Sequence, residues 1–246
     1  MRSETIYENG PRRWIAMGRD PNKPDSIIDT NEFLILDGDS GILLDPGGVK
    51  IFPKVLAELT RYVAPESICT IALSHQDPDI GSSLALWLDL CPNTEVYCSW
   101  LWSGFITHFG MGKEIELQAI PDEGMVIPFG RSSIQAIPAH YCHASGNFSF
   151  YDAEAKILFS GDIGSALLPD AQAGLVVKDF QQHIRFMEGF HKRWMPSTSA
   201  LRDWVQRARA LRPDMICPQH GAIFQGEDVT RFLDWLESLE VGVWGK

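Results

Sequence analysis

Ser74-His75-Gln76-Asp77-Pro78-Asp79 packs one imidazole and two carboxylates into five residues. The group directly follows a short apolar run at 69–73, which reads as a buried strand. Alternate residues of an extended segment point the same way, so His75, Asp77 and Asp79 converge if the loop stays extended. Pro78 favours this, because the residue before a proline is pushed out of the α region. A strand that ends on such a cluster suggests a metal site at a sheet edge.

Three later segments repeat the pattern of an apolar run with a ligand-type residue at its end: Tyr141-Cys142-His143, Phe159-Ser160-Gly161-Asp162 and Cys217-Pro218-Gln219-His220. Gly161 and Gly221 stand beside two of these ligands, where the backbone must turn tightly. Three histidines and three aspartates make a set for two metal ions, and one carboxylate can bridge them. Asp162 is the choice for the bridge. His140 lies three residues before His143. In an extended segment that odd separation points the two apart, and the spacing to Asp162 favours His143 as the ligand. His140 becomes a candidate partner behind the ligands. His108 is a second such candidate, since Trp102, Phe105 and Phe109 suggest a lid over the metals. His183 and His191 read as ordinary surface or core histidines. Cys142 and Cys217 read as small core residues.

The rest of the chain supplies a frame. Residues 32–48 hold two apolar runs around Asp37-Gly38-Asp39-Ser40-Gly41, a β-hairpin pattern. Helical spacing occurs at 51–63, 84–90, 178–191, 199–211 and 227–239. Strand patterns occur at 95–99, across much of 125–159, and at 215–217. The order is β-rich, βαβα, β-rich, then α with a final strand, which predicts two sheets sandwiched between helices. Residues 19–25 read as a polar loop, too short to link domains, so a single domain over 1–246 is expected. Neither GxGxxG nor GxxxxGK[ST] occurs, so no nucleotide-binding loop is supported.

Composition narrows the partners. The net charge is −11, with 45% hydrophobic residues. Wrapping nucleic acid or lying on an anionic membrane needs basic patches, which this balance disfavours. No run of about 18 apolar residues occurs, so no membrane-spanning helix is expected. Five scattered cysteines without a CxxC pair suggest reduced thiols and a cytoplasmic location.

The motifs HxDxD, His143, GDIG and PQHG, in that order, resemble the metallo-β-lactamase superfamily, and within it the flavodiiron proteins. Leu43-Leu44-Asp45-Pro46-Gly47 and Arg193-Trp194-Met195-Pro196-Ser197 add to the likeness, which covers about 27–225. It implies a four-layer αββα sandwich. It also implies that His75, Asp77 and His143 serve one iron, Asp79 and His220 the other, with Asp162 between them and an oxo or hydroxo bridge possible. Asp77 stands where the family usually has Glu. Ile80 stands where a histidine commonly follows, leaving an open coordination site beside it. The flavodoxin domain that carries FMN in flavodiiron proteins is not seen before the chain ends at Lys246. The chain therefore resembles the stand-alone oxygen-binding diiron proteins, some of which serve oxygen sensing in chemotaxis.

The expected function is binding of dioxygen, or nitric oxide, at a non-haem diiron centre in oxygen sensing or a redox response. Carboxylate-rich ligation suits iron or manganese better than a catalytic zinc pair, although zinc can fill such a site during purification. Turnover as an oxygen or nitric oxide reductase needs a separate electron donor, because neither a flavin site nor an Fe–S cysteine pattern is present. A signalling partner is the other expected protein contact, and the family likeness implies a homodimer. The alternative is a metallo-hydrolase of an ester, thioester or phosphodiester, which the fold also hosts. Asp77 and Ile80 weigh against it by removing two nitrogen ligands.

Overall fold

The structure is a computed structural model that describes residues 1–20, 22–110, 115–169 and 174–242. The chain opens with two hairpins, β1 (Arg2–Asn9), β2 (Arg12–Gly18), β3 (Glu32–Asp37) and β4 (Ser40–Leu44). Helix α1 (Phe52–Leu59) leads to β5 (Ile68–Ala72), the short α2 (Pro78–Gly81), α3 (Leu84–Leu90), β6 (Glu95–Ser99), α4 (Ser103–Ile106) and β7 (Leu117–Ile120). Strands β8 (Met125–Phe129), β9 (Ser132–Pro138), β10 (Phe148–Asp152) and β11 (Ile157–Gly161) follow. Last come α5 (Phe180–Trp194), α6 (Thr198–Leu211), β12 (Met215–Pro218), β13 (Phe224–Gln225) and α7 (Glu227–Ser238). Strands β1 to β7 form one sheet in sequence order, antiparallel up to β4 and parallel from β4 to β7. The second sheet runs β13-β12-β11-β10-β9-β8, with β11 and β12 parallel.

Three apolar clusters explain the layering. Trp14, Phe33, Ile35, Phe148, Phe150 and Phe159 fill the space between the sheets. Leu34, Leu36, Ile71 and Val96 face outward against Val55, Leu59, Leu84 and Trp87 of α1 and α3. Leu158 and Ile216 face the opposite way, against Met187, Trp204, Phe232 and Leu236 of α5, α6 and α7. Alternate residues of β3 thus serve two different layers, which is why the strand reads as a continuous apolar run. One buried polar contact ties the sheets together. Asp152 accepts from Arg12 Nε at 2.8 Å and from Trp14 Nε1 at 2.7 Å. Removing one partner of such a pair typically costs about 3–5 kcal/mol.

The sequence placed most of these elements. The two apolar runs at 32–48 form the β3–β4 hairpin, with Asp37 paired to Ser40 and Gly38 at φ +62. Helix α5 is capped by Asp179, whose Oδ1 accepts the Gln182 N–H at 3.1 Å, and runs three residues past the expected end. Strands β1, β2, β7 and β13 were not expected. One element differs in kind: Asp77 is extended, as Pro78 dictates, but α2 begins at Pro78. Asp79 therefore sits in a helical first turn rather than on an extended loop. Proline is well suited to a first helical turn, where its missing N–H has no partner to lose. Of the loop read at 19–25, residue 21 lies outside the described residues.

Candidate metal centre

The carboxyl ends of parallel strands open onto one edge of the sandwich, the usual ligand position in sheets of this kind. His75 lies just beyond β5, Asp162 just beyond β11 and His220 just beyond β12. His143 comes from the β9–β10 connection, and Asp77 and Asp79 from the start of α2. All six candidate ligands are brought together. His143 Nε2 is 3.0 Å from Asp77 Oδ2 and 3.6 Å from Asp162 Oδ2. His75 Nε2 is 3.5 Å from Asp77 Oδ2 and 3.9 Å from Asp162 Oδ2. On the other side, His220 Nε2 is 3.4 Å from both Asp79 Oδ2 and Asp162 Oδ1. Asp162 thus turns one oxygen to each half of the cluster.

Two glycines let these ends approach. Gly161 has φ +58, and a Cβ there would meet Ser74 Oγ at 3.2 Å. Gly221 has φ +92, and a Cβ there would lie 2.7 Å from Ala166 Cβ. His143 itself holds φ +79, an unusual value for a side-chain-bearing residue. Asn147, fully buried, braces that loop by donating from Nδ2 to the Cys142 carbonyl at 2.7 Å.

Partners behind the imidazoles fix their orientation. Ser74 Oγ donates to Asp45 Oδ2 at 2.5 Å, which leaves it to accept from His75 Nδ1 at 2.9 Å. His220 Nδ1 donates to the Asp29 carbonyl at 2.8 Å. Both arrangements direct Nε2 into the cluster, as in carboxylate- or carbonyl-oriented metal ligands. Asn31 clamps the His220 turn, donating from Nδ2 to the Pro218 and Gly221 carbonyls at 3.1 Å each. Around His143, the rings of Trp194 and Phe190 lie 5.3 and 6.1 Å away.

The imidazoles and carboxylates of the cluster shift one another's titration. Burial alone would lower the His75 imidazole, but the carboxylates of Asp77, Asp162 and Asp45 hold it up at about 9. His220 is raised well above its usual value against burial, by Asp162 and Asp79. Burial would raise Asp162, yet His220, His75 and His143 bring it down to about 2. Asp77 is likewise lowered against burial, by His143 and His75. His75 Nε2 and Asp162 Oδ1 are buried without a hydrogen-bond partner. Converging imidazole nitrogens and carboxylate oxygens, with an unpaired buried atom in each half of the cluster, fit divalent transition-metal ions.

The remaining candidates lie elsewhere. His140 turns away and bonds the Asp122 carbonyl at 2.8 Å. His108 is exposed on the turn after α4, without a contact to the cluster among the described residues. Ile80 is fully buried and joins the apolar cluster of Leu73, Leu84 and Ile106. Cys142 and Cys217 are free, fully buried thiols. His183 is buried against Phe224, and burial takes it down to about 4. His191, read as an ordinary core or surface histidine, is fully buried, and its Nε2 accepts from the turn that carries Asp162. The polar partners Asp29, Asn31 and Ser74 also escaped the sequence reading. Only the adjacency of Ser74 to His75 offered a signal.

Fold and cluster position together define a metallo-β-lactamase-like domain of the type seen in flavodiiron cores. More narrowly, the chain belongs to the ODP family of β-lactamase-like proteins, whose family model matches residues 28–221. It is similar to a solved structure described as a peroxy diiron species of the chemotaxis sensor ODP, at 39% identity and TM-score 0.87, covering 98% of this chain and 97% of that one. The apo state of the chemotaxis sensor ODP from T. denticola is 40% identical, with TM-score 0.86 and coverage of 98% and 96%. The rubredoxin-oxygen oxidoreductase of Megalodesulfovibrio gigas is 20% identical over 82% of this chain and 50% of its own length. The chain spans about half the length of the curated relatives it matches.

Proposed function

We propose that this chain is a diiron protein that binds dioxygen and reports it in a sensing pathway. The observation that carries the reading is the divided cluster, in which Asp162 offers Oδ2 to the His75, Asp77 and His143 group and Oδ1 to the Asp79 and His220 group. His75, Asp77 and His143 would hold one ion, Asp79 and His220 the other, and Asp162 would bridge. The full-length likeness to a chemotaxis sensor with a diiron centre supports iron and oxygen sensing for this chain. Among the described residues, no helix is long and apolar enough to cross a membrane.

An iron pair held there would supply redox-active cations able to bind a small neutral diatomic. The chain's own residues do the rest. Ser74 with Asp45, and the Asp29 carbonyl, keep Nε2 of His75 and His220 aimed inward. Phe190 and Trp194 pack against the His143 ring and restrict its rotation. Ile80 is buried with Leu73, Leu84 and Ile106 and offers no ligand atom to the centre. Reversible binding needs no electron donor, whereas turnover would need a separate one. Elemental analysis of anaerobically prepared, iron-supplied protein tests the assignment. About two irons per chain are expected, and a consistent value near one would defeat it.

A further inference from the structure

Helix α5 reaches the centre from behind. Phe190 and Trp194 meet the His143 ring, and between them in sequence His191 points to the other side of the site. Its side chain is fully buried. Nδ1 donates to the Met187 carbonyl at 2.9 Å, one helical turn back. That bond leaves Nε2 as an acceptor, and it receives the Gly164 N–H at 3.0 Å. Both ring nitrogens are therefore committed to a single neutral tautomer. The rings of Phe190 and Trp235 stand edge-on at 5.6 and 5.3 Å and restrict its rotation.

Gly164 closes the turn that begins at Asp162. Ser165 N–H donates to the Asp162 carbonyl at 3.1 Å, and Ser160 Oγ donates to the Ile163 carbonyl at 2.6 Å. The turn depends on Gly164, at φ +100, where a Cβ would meet Phe224 and Phe232 at 3.1 Å. One more bond links the turn to the opposite ligand: Ala166 N–H donates to the His220 carbonyl at 3.2 Å. Within this framework His191 is the side chain that fixes the Gly164 amide.

Resting on the diiron reading above, we infer that His191 is a positioning residue for Asp162. Its neutral imidazole holds the 161–165 turn so that the two carboxylate oxygens face the two halves of the centre. A side chain that fills the same volume but accepts no hydrogen bond leaves the Gly164 N–H unpaired, and the turn relaxes. Changes behind metal ligands typically weaken metal affinity by about 10–100-fold. The sequence carries no warning of this role, because nothing about position 191 distinguishes it from a core histidine.

The test compares wild type, His191→Phe and His191→Gln, all stripped of metal and titrated anaerobically with cobalt(II) and then iron(II). Gln can donate from its amide nitrogen and accept at its oxygen, so it mimics both contacts. His191→Phe should keep its far-ultraviolet circular dichroism, bind the ions at least tenfold more weakly, and alter the spin-coupled electron paramagnetic resonance signal of the mixed-valent iron form. His191→Gln should stay close to wild type in both. A folded His191→Phe with wild-type affinity and an unchanged signal would overturn the inference. Fewer than two ions bound by wild type would instead defeat the diiron reading. Should His191→Phe fail to fold, nitrogen NMR of histidine-labelled wild type decides. A neutral Nδ1–H resonance for His191 that moves on zinc loading supports the role, and one insensitive to loading overturns it.

Discussion

Glu32, at the start of β3, is a carboxyl buried completely inside the protein. Oε1 accepts the Thr30 hydroxyl at 2.6 Å, while Oε2 has no hydrogen-bond partner. Burial raises its pKa to about 8, against the lowering effects of Thr30 and His220. In the unfolded chain the same carboxyl titrates near 4.5. Between those values the folded protein keeps a proton that the unfolded chain releases, so stability falls as pH rises through the window. From pH 5 to pH 9 this amounts to roughly 4 kcal/mol as an upper figure. Glu32→Gln has no proton to lose and keeps an oxygen for Thr30. Guanidinium denaturation of the chelator-stripped proteins should therefore show a variant close to wild type at pH 5. At pH 9 it should be more stable than wild type by several kcal/mol, up to about 4. Parallel stability curves across that range would refute the reasoning, because they would mean that Glu32 is already ionised in the fold.

Stripped protein carries protons on His75 and His220 at neutral pH, so iron(II) loading at pH 7 should release about two protons per chain. A pH-indicator titration reads this directly, and loading without proton release would contradict the cluster's charge state. The His75 contribution to the stability of the stripped protein is fully present below pH 6.5 and is lost as pH rises through about 9. Metal-loaded protein should lack that loss, which thermal melts at pH 6 and pH 9.5 would check. Asp162→Ala should lose both metal ions, whereas His220→Ala should lose chiefly one. Equal loss in elemental analysis would mean that Asp162 does not bridge.

Most of the architecture was legible because the sheets are buried on both faces. Continuous apolar runs such as 33–36 and 157–159 cannot be anything but interior, and helical spacing is plain where one face of a helix is wet. Strand β1 was hidden because most of its residues are exposed and polar, so it lacks the apolar run that marks an interior strand. The stretch from His75 to Asp79 could be read for chemistry but not for conformation: Pro78 governs the residue before it and says little about whether a helix starts at itself. The six candidate ligands come from local motifs, each a ligand-type residue at the end of an apolar run. Their supporting contacts are long-range. Asn31 reaches Pro218 and Gly221, Asp29 reaches His220, and His191 reaches Gly164. Such pairings depend on how the two sheets stack, which no local pattern encodes.

Binding of dioxygen at an iron pair underlies the sensing role proposed for this chain. Its most direct test is stopped-flow absorption of the anaerobic, iron(II)-loaded protein mixed with dissolved oxygen. A new visible band is expected, whose rate of appearance grows with oxygen concentration and which Asp162→Ala lacks. An unchanged spectrum, together with robust hydrolysis of a simple thioester by the zinc-loaded form, would contradict it and favour a hydrolase.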